Sequence, residues 1–160
     1  MQTILSEIDR AIGAGFYYLA LAMCLTLPDL CSALESPDGE TSGPQYKKWC
    51  DEYLVKRLPP MTANDFWKLR CGVIHQGRLG HPQMGYDRII FTLPDGRNNQ
   101  AHCNIINNAL NLDAIIFYVS MFESVRAWSA AKTADPNVIA NLPNLVQFRP
   151  RGLFGLPCIA

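Results

Sequence analysis

An arginine and a histidine five positions apart, Arg70 and His75, stand in the segment WKLRCGVIHQGR, residues 67–78. An imidazole takes up and returns a proton near neutral pH, and a guanidinium binds phosphate oxygens through a planar set of donors. Cleavage of RNA by its own 2′-hydroxyl needs both functions, a base for the hydroxyl and a cation for the charge that develops around phosphorus. The pair therefore indicates chemistry on a phosphodiester.

The same spacing occurs a second time, at Arg97 and His102 in the segment RNNQAH. This match follows the sequence PDG at 94–96, which predicts a turn, and side chains on a turn are poorly held relative to each other. We therefore expect the second match to be a coincidence and take Arg70 and His75 as the candidate catalytic pair.

A structural role explains the same two residues. Arg70 would pair with an acidic residue such as Asp65 or Asp29, and His75 would interact with the negative end of its own helix. Five positions separate the two side chains by about 140° around an ideal helix, so they contact only if the long arginine wraps across Gly72. The residues alone leave both interpretations open.

Positive charge is concentrated in the middle of a chain whose formal net charge is zero. Residues 68–102 hold five basic and two acidic side chains and all three histidines. A neutral protein does not bind nucleic acid over its whole surface, because affinity comes from neutralising phosphates, but a local basic site remains compatible with the composition. Lys68, Arg78 and His81 are the candidate RNA-binding residues, with Arg88 beyond them, and a functionally silent solvated surface is the alternative.

Metal binding is not indicated by the cysteines and histidines. No C-x-x-C pair occurs among the six cysteines, which lie mostly in apolar segments, and the three histidines are scattered. This distribution favours reduced, buried thiols over a zinc site or a disulfide framework. We expect no metal and no cofactor.

Helical periodicity covers most of the chain and predicts a mainly α fold in a single domain, 1–160. We expect helices over 4–10 and 16–35, the second with a kink or a break at Pro28, then a loop over 36–44. A further helix is predicted over 46–56. The apolar positions predicted to face the core are Leu19, Ala22, Met23, Leu27, Leu30 and Leu34 in the second helix and Tyr46, Trp49, Tyr53 and Leu54 in the third.

The helix that must position the candidate pair has clear boundaries. Thr62 followed by Asp65 is an N-cap signal, and Gly77 is a stop after about Gln76. Arg70 and His75 would then lie in the C-terminal half of this helix.

Strand periodicity replaces helical periodicity after this point. The segment YDRIIFTL, the turn PDGR and the segment AHCNII predict an inserted β-hairpin at about 86–106. A helix is predicted over 113–132, with Leu112, Ile115, Ile116, Val119, Phe122 and Val125 buried. The proline-rich tail, about 133–160, is expected to be irregular.

These features resemble the HEPN superfamily, whose R-x4-6-H motif places an arginine and a histidine at the end of a helix in a mostly helical domain. The segments YYLALAMCLTLPDLCSALE, YKKWCDEYL and LRCGVIHQGR further resemble a group of bacterial HEPN-like proteins, over 8–128. The resemblance implies an up-and-down helical bundle with an inserted hairpin. It also implies a metal-independent endoribonuclease or RNA-binding protein of a defence or toxin–antitoxin system.

The same resemblance implies roles for particular residues. His75 would be the general base and Arg70 the phosphate ligand, although this chain has Cys71 where active members often have Asn, Asp or His. The implied partners are RNA, a second copy of the chain, and a cognate antitoxin or neighbouring defence protein, with two motifs meeting across a twofold axis. The alternative from a different class is a catalytically silent helical protein–protein interaction module.

Localisation is expected to be cytoplasmic, with no membrane association. The uncharged stretch 11–27 is short for a bilayer span and contains two glycines and two tyrosines. Glu7 and Asp9 precede Arg10 at the N-terminus, whereas a secretory leader begins with basic residues followed by an apolar block.

Overall fold

The computed structural model describes residues 1–95, 101–153 and 156–159. The described chain is mostly helical, as predicted, with two small β-sheets. Its helices are α1 (Gln2–Gly13), α2 (Tyr17–Glu35), α3 (Gly43–Tyr53), α4 (Ala63–Gln76), α5 (Ala114–Ala131) and α6 (Pro136–Asn141), with 3₁₀ turns at Val55–Arg57 and Leu142–Asn144. Its strands are β1 (Arg88–Thr92), β2 (Asn104–Ile106), β3 (Ala109–Asp113), β4 (Phe148–Leu153) and β5 (Leu156–Ile159).

Helix α2 is the centre of the fold. It contacts all five of the other described helices, and ten of its 19 residues are buried. Leu25 and Leu27 of α2 pack in one core with Phe66 of α4 and with Phe117 and Trp128 of α5. Burial of these large side chains is the main stabilising contribution to the domain.

A kink or a break was predicted at Pro28, and the break is wrong, because α2 continues through this residue from Tyr17 to Glu35. A proline inside a helix removes one backbone hydrogen bond and costs about 3 kcal/mol. Packing of α2 on five neighbouring helices offsets that cost. The predicted core face is also wrong in the first half of the helix, since Leu19 and Met23 are exposed while Ala20, Leu21 and Cys24 are buried.

By length and composition alone, α2 is long and apolar enough to cross a bilayer. Half of its most apolar stretch is buried inside the protein, however, and Asp29 within the helix pairs with Arg70 of α4. These contacts are those of a core helix.

Helix α3 begins three residues earlier than predicted and ends at Tyr53. Pro44 occupies its first turn, where proline is favoured because its fixed φ suits a helix and no N–H is needed there. The predicted inward face is confirmed for Tyr46, Trp49 and Leu54, which are buried, whereas Tyr53 is half-buried.

Helix α4 has the predicted boundaries. The Thr62 hydroxyl accepts a hydrogen bond from the Asp65 backbone N–H at 3.2 Å, and the Asp65 carboxylate accepts one from the Thr62 N–H at 2.9 Å. Gly77 ends the helix in the left-handed region, at φ 62°. The capping box and the glycine stop together fix where the C-terminal turn carrying His75 lies.

The predicted β-hairpin is wrong. Strand β1 pairs with β3 in parallel, β2 pairs with β3 in antiparallel fashion, and β3 lies between them. The turn that reverses the chain is Asn107-Asn108, with φ of 48° and 56°, which is the geometry that asparagine favours in two-residue hairpins. The sequence does not predict strand β3, since Leu112 continues the apolar periodicity of the following helix.

Helix α5 starts where predicted, with the Asp113 carboxylate accepting a hydrogen bond from the Ile116 N–H at 2.9 Å. Its predicted core face is only partly correct. Val125 is buried, but Ile116 and Val119 are exposed, and Phe117, Met121 and Trp128 are buried in their place. Because α5 is apolar on most sides, periodicity did not identify its buried face.

The prediction of an irregular C-terminal segment is wrong, because its described part forms a helix and two strands. Helix α6 docks on the end of α2 through Asn137, whose amide donates to the Glu35 carbonyl at 3.0 Å, and Asn141, which donates to the Ser36 carbonyl at 2.8 Å. Strands β4 and β5 then form an antiparallel pair.

Candidate functional site

Arg70 and His75 contact each other near the end of α4. The Arg70 Nη1 lies 2.9 Å from the His75 Nε2, and the imidazole is exposed. A guanidinium has no acceptor, so Nε2 accepts the hydrogen bond and the imidazole is neutral with its proton on Nδ1. The arginine therefore does span the angle that separates the two residues on the helix.

Asp29 of α2 holds the other side of the Arg70 guanidinium. The Arg70 Nε donates to the Asp29 Oδ2 at 2.9 Å, and the two side chains are 20% and 12% exposed. Burial raises the pKa of the Asp29 carboxyl, while the charge and hydrogen bond of Arg70 and the nearby His75 act against that rise. Burial alone would lower the pKa of Arg70, but Asp29 outweighs it and the pKa is raised.

The Trp67 ring packs against the Arg70 guanidinium. Arg70 Cζ lies 5.4 Å from the Trp67 ring centroid, a cation–π distance. The indole packs edge-on against Tyr46 of α3, with ring centroids 5.2 Å apart. Arg70 is thus positioned by three elements of structure rather than by α4 alone.

Asp65, the other carboxylate considered for Arg70, is engaged elsewhere. Besides the capping box, its oxygens accept hydrogen bonds from the Gly85 N–H at 3.2 Å and the Tyr86 hydroxyl at 3.4 Å. It therefore fastens the segment after α4 back onto the start of that helix.

Gly72 has a different role from the one that the sequence indicated. A Cβ at this position would lie 2.7 Å from the Arg78 carbonyl oxygen, so the glycine is required by the returning chain and not by the arginine side chain. The Arg78 N–H donates to the Gly72 carbonyl at 3.1 Å. This contact folds Arg78 back beside α4.

The structure brings Lys68, Arg78 and His81 into one electrostatic neighbourhood. Partial desolvation, followed by the positive charges of Lys68 and Arg78, lowers the pKa of the His81 imidazole. The His81 Nδ1 accepts a hydrogen bond from the Gln83 N–H at 3.1 Å, so a neutral His81 carries its proton on Nε2. His81 is half-buried.

An open cleft of about 990 Å³ lies beside this group, between the segment after α4 and strand β1. Its lining starts at Gly77, two residues after His75, and includes Arg78, His81 and Arg88. Lys68, on α4, does not line the cleft, but its positive charge acts on His81.

Exposed apolar side chains lie on three helices that two side-chain hydrogen bonds join. The Tyr18 hydroxyl donates to the Val73 carbonyl at 3.3 Å, and the Tyr118 hydroxyl donates to the Tyr17 carbonyl at 2.9 Å, which joins the start of α2 to the end of α4 and the start of α5. We call the exposed residues on these three helix ends the apolar face: Phe16, Tyr18, Leu19, Met23, Ile74, Ile116 and Val119.

The second match to the motif does not yield a described pair. Arg97 lies outside the described residues. His102 is tied to the start of α5, since its Nδ1 accepts a hydrogen bond from the Asp113 N–H at 3.1 Å and its Nε2 lies 3.1 Å from the Cys103 Sγ.

Five of the cysteines are free thiols: Cys24, Cys31 and Cys50 are buried, and Cys71 and Cys103 are half-buried. Burial raises the pKa of Cys24 and Cys50, which keeps these thiols protonated. Within residues 1–95, 101–153 and 156–159, no group of three histidine, cysteine or carboxylate side chains is arranged to hold a metal ion.

Sequence reasoning treated Asp29 only as a structural partner and Trp67 not at all. A carboxylate inside an otherwise apolar helix was the available signal for Asp29, because a buried charge needs a partner. No family model, curated protein or solved structure matches this chain.

Proposed function

We propose that the protein is a HEPN-type, metal-independent endoribonuclease that acts in the cytoplasm. The observation that carries the proposal is the 2.9 Å contact between the Arg70 Nη1 and the exposed His75 Nε2, with the guanidinium held by Asp29. A phosphate-binding cation and a neutral imidazole lie side by side at a surface that a nucleic acid can reach. The nearby Lys68, Arg78 and His81 supply RNA contacts.

The proposed reaction uses the lone pair that Arg70 now occupies. When RNA binds, the 2′-hydroxyl replaces the Arg70 Nη1–H at the His75 Nε2, and His75 takes the hydroxyl proton as the 2′ oxygen attacks phosphorus. Arg70 stays anchored to Asp29 through Nε and turns its Nη donors to the non-bridging phosphate oxygens. The bond from phosphorus to the 5′ oxygen breaks, the leaving oxygen takes up a proton from water, and His75 returns the proton it accepted to solvent.

The proposal includes an assembly. A HEPN-like bundle would place two copies of the Arg70–His75 pair across a twofold axis in a homodimer, and the exposed apolar face, which includes Ile74 directly before His75, is the proposed contact surface. A cognate antitoxin or a neighbouring defence protein is the proposed regulatory partner.

Incubation of the purified protein with RNA in EDTA tests the activity. We expect cleavage that chelation does not reduce and that yields 2′,3′-cyclic phosphate ends, with loss of activity in His75→Ala. Arg126→Ala is the matched control, because Arg126 is an exposed arginine that lies beside α1, away from the pair. Cleavage that requires magnesium, or that survives in His75→Ala, would contradict the proposal.

The alternative function is a catalytically silent helical interaction module. The ion pair of Arg70 with Asp29 favours it, because this contact alone would justify the arginine as a structural residue. In that case, the chain would leave RNA intact, and the apolar face would bind a protein partner.

A further inference from the structure

The cleft beside α4 is not needed for the step at His75, yet it is built as a rigid, positively charged recess. The segment after α4, which forms one wall, packs so closely against α4 and against the start of β1 that only glycine fits at two points. A Cβ at Gly72 would lie 2.7 Å from the Arg78 carbonyl oxygen, and one at Gly80 would lie 2.5 Å from the Asp87 carbonyl oxygen. The Ile89 N–H also donates to the Leu79 carbonyl at 2.7 Å, which joins the segment after α4 to strand β1.

The cleft offers charge for one or two phosphates and not for a long polyanion. Arg78 and Arg88 line it, and none of the carboxylates in the described part of the chain forms an ion pair with either. Asp87 also lines it and offsets part of that charge. His81 remains a neutral donor through Nε2–H at neutral pH, because its pKa is lowered.

Much of the remaining lining is apolar and suits a flat ring, with Asn108 as a polar exception. Leu79 and Met84 are partly buried and pack against the core, so each presents a supported apolar surface to the cleft. On β1, Arg88 and Ile90 are both exposed while Ile89 between them is buried, so the arginine and an apolar side chain share the outer face. The volume of about 990 Å³ is at the upper end of the range for small-ligand sites, with room for a nucleotide.

We propose that this cleft binds one unpaired nucleotide of an RNA strand, with its phosphate on Arg78 and Arg88 and its base against Leu79, Met84 and Ile90. This inference rests on the proposed function and adds the substrate class: single-stranded RNA, held at a second point beside the scissile bond. Because the lining begins two residues after His75, a strand whose phosphate lies on Arg70 reaches the cleft within a short distance. A paired nucleotide has no free base face to insert.

A binding assay that is independent of cleavage tests the cleft. The probe is a short, fluorescein-labelled, 2′-O-methyl single-stranded RNA, which keeps its phosphates and bases but has no 2′-hydroxyl to attack. We expect Arg78→Ala/Arg88→Ala to weaken binding by about tenfold or more and to reduce the slope of log affinity against log salt by about 0.7 for each arginine.

Arg126→Ala/Arg149→Ala is the matched control, since both arginines are exposed and neither lines the cleft. Thermal denaturation of each variant checks the fold. Unlabelled blunt duplex RNA should compete much more weakly than the single strand. Equal weakening in the control pair, unchanged binding in the cleft pair, or equal competition by the duplex would overturn the inference.

The two proposals fail differently. Cleavage that depends on His75, together with cleft variants that bind like the wild type, would remove the cleft and leave the nuclease. Probe binding that depends on Arg78 and Arg88, without any cleavage of natural RNA, would remove the nuclease and leave a single-strand binding site.

Discussion

At the scale of single residues, Arg70 has two partners whose requirements differ. Asp29 needs the guanidinium because a carboxylate on a side chain that is only 12% exposed is costly without an opposite charge. His75 needs only a donor at Nε2 in the resting state. Arg70 therefore contributes to stability through its Nε and, in the proposed reaction, to activity through its Nη1.

Substitutions at the pair should separate these contributions. His75→Ala should lower cleavage by roughly 10²- to 10⁴-fold, the usual contribution of a general base, and leave the melting temperature near that of the wild type, because the imidazole is exposed. Arg70→Ala should also abolish cleavage, but should lower the free energy of unfolding by about 2 kcal/mol, because Asp29 loses its partner. Thermal denaturation and a cleavage assay on the same samples measure both.

Addition of Asp29→Leu to Arg70→Ala provides the control. Removing both charges should recover most of the lost stability, since an apolar pair avoids the desolvation of an unpaired carboxylate, and should recover no cleavage. Recovery of cleavage in the double variant would exclude Arg70 from the chemistry.

His81 should give RNA binding a dependence on pH. Desolvation, Lys68 and Arg78 lower its pKa, so it becomes charged only in solutions more acidic than the ordinary imidazole value of about 6.5. Affinity for a 2′-O-methyl oligouridine should therefore be nearly constant above neutrality and rise as the pH falls toward 5. His81→Gln should reduce this rise, and fluorescence anisotropy at several pH values measures it. An identical rise in the variant would assign the effect to another group.

At the scale of elements, α4 ends in a turn that folds the following segment back against the helix. Gly77 reverses the chain in the left-handed region, and Gly72 and Gly80 let the returning segment lie against the helix and then against β1. The position of Arg78 is thus set by backbone contacts.

Alanine at Gly80 should disturb this arrangement. Its Cβ would lie 2.5 Å from a backbone oxygen, which cannot rotate away as a side chain would. We expect Gly80→Ala to lower the free energy of unfolding by about 1 to 3 kcal/mol and to weaken binding of the single-stranded probe. Gly13→Ala, at the end of α1 where nothing lies within 4 Å, is the matched control and should change neither. Chemical denaturation and the binding assay decide between these outcomes.

At the scale of the whole molecule, the apolar face is the feature that one copy of the chain leaves unsatisfied. Leu19 is 59% exposed and Val119 is 47% exposed, on two helices that are joined by the Tyr118–Tyr17 hydrogen bond. Ile74 of the same face directly precedes His75 in the chain. A twofold contact through this face would bring two pairs near each other.

Light scattering at micromolar concentration should show a homodimer. Leu19→Glu and Val119→Glu should each produce a monomer with an unchanged melting temperature and reduced cleavage, because a buried carboxylate opposes association. Ile139→Glu on α6 serves as the control, since Ile139 is as exposed as Leu19 but lies outside the apolar face. A wild-type monomer would remove the proposed composite site.

The sequence by itself determined the features that are satisfied within a few residues. The Thr62–Asp65 capping box and the Gly77 stop each satisfy local backbone groups, so they predicted the ends of α4 without reference to the rest of the chain. The positions of Arg70 and His75 in the C-terminal half of α4 followed from those ends.

Only the tertiary structure decided which partner or face was used when several were chemically equivalent. Asp29 and Asp65 were both available to Arg70, and Asp65 was taken by its own cap and by Gly85 and Tyr86. The buried faces of α2 and α5 and the parallel pairing of β1 with β3 were decided in the same way. A helix that is apolar on most sides, or a strand with two available neighbours, has no local preference, so packing of the whole domain determines the outcome.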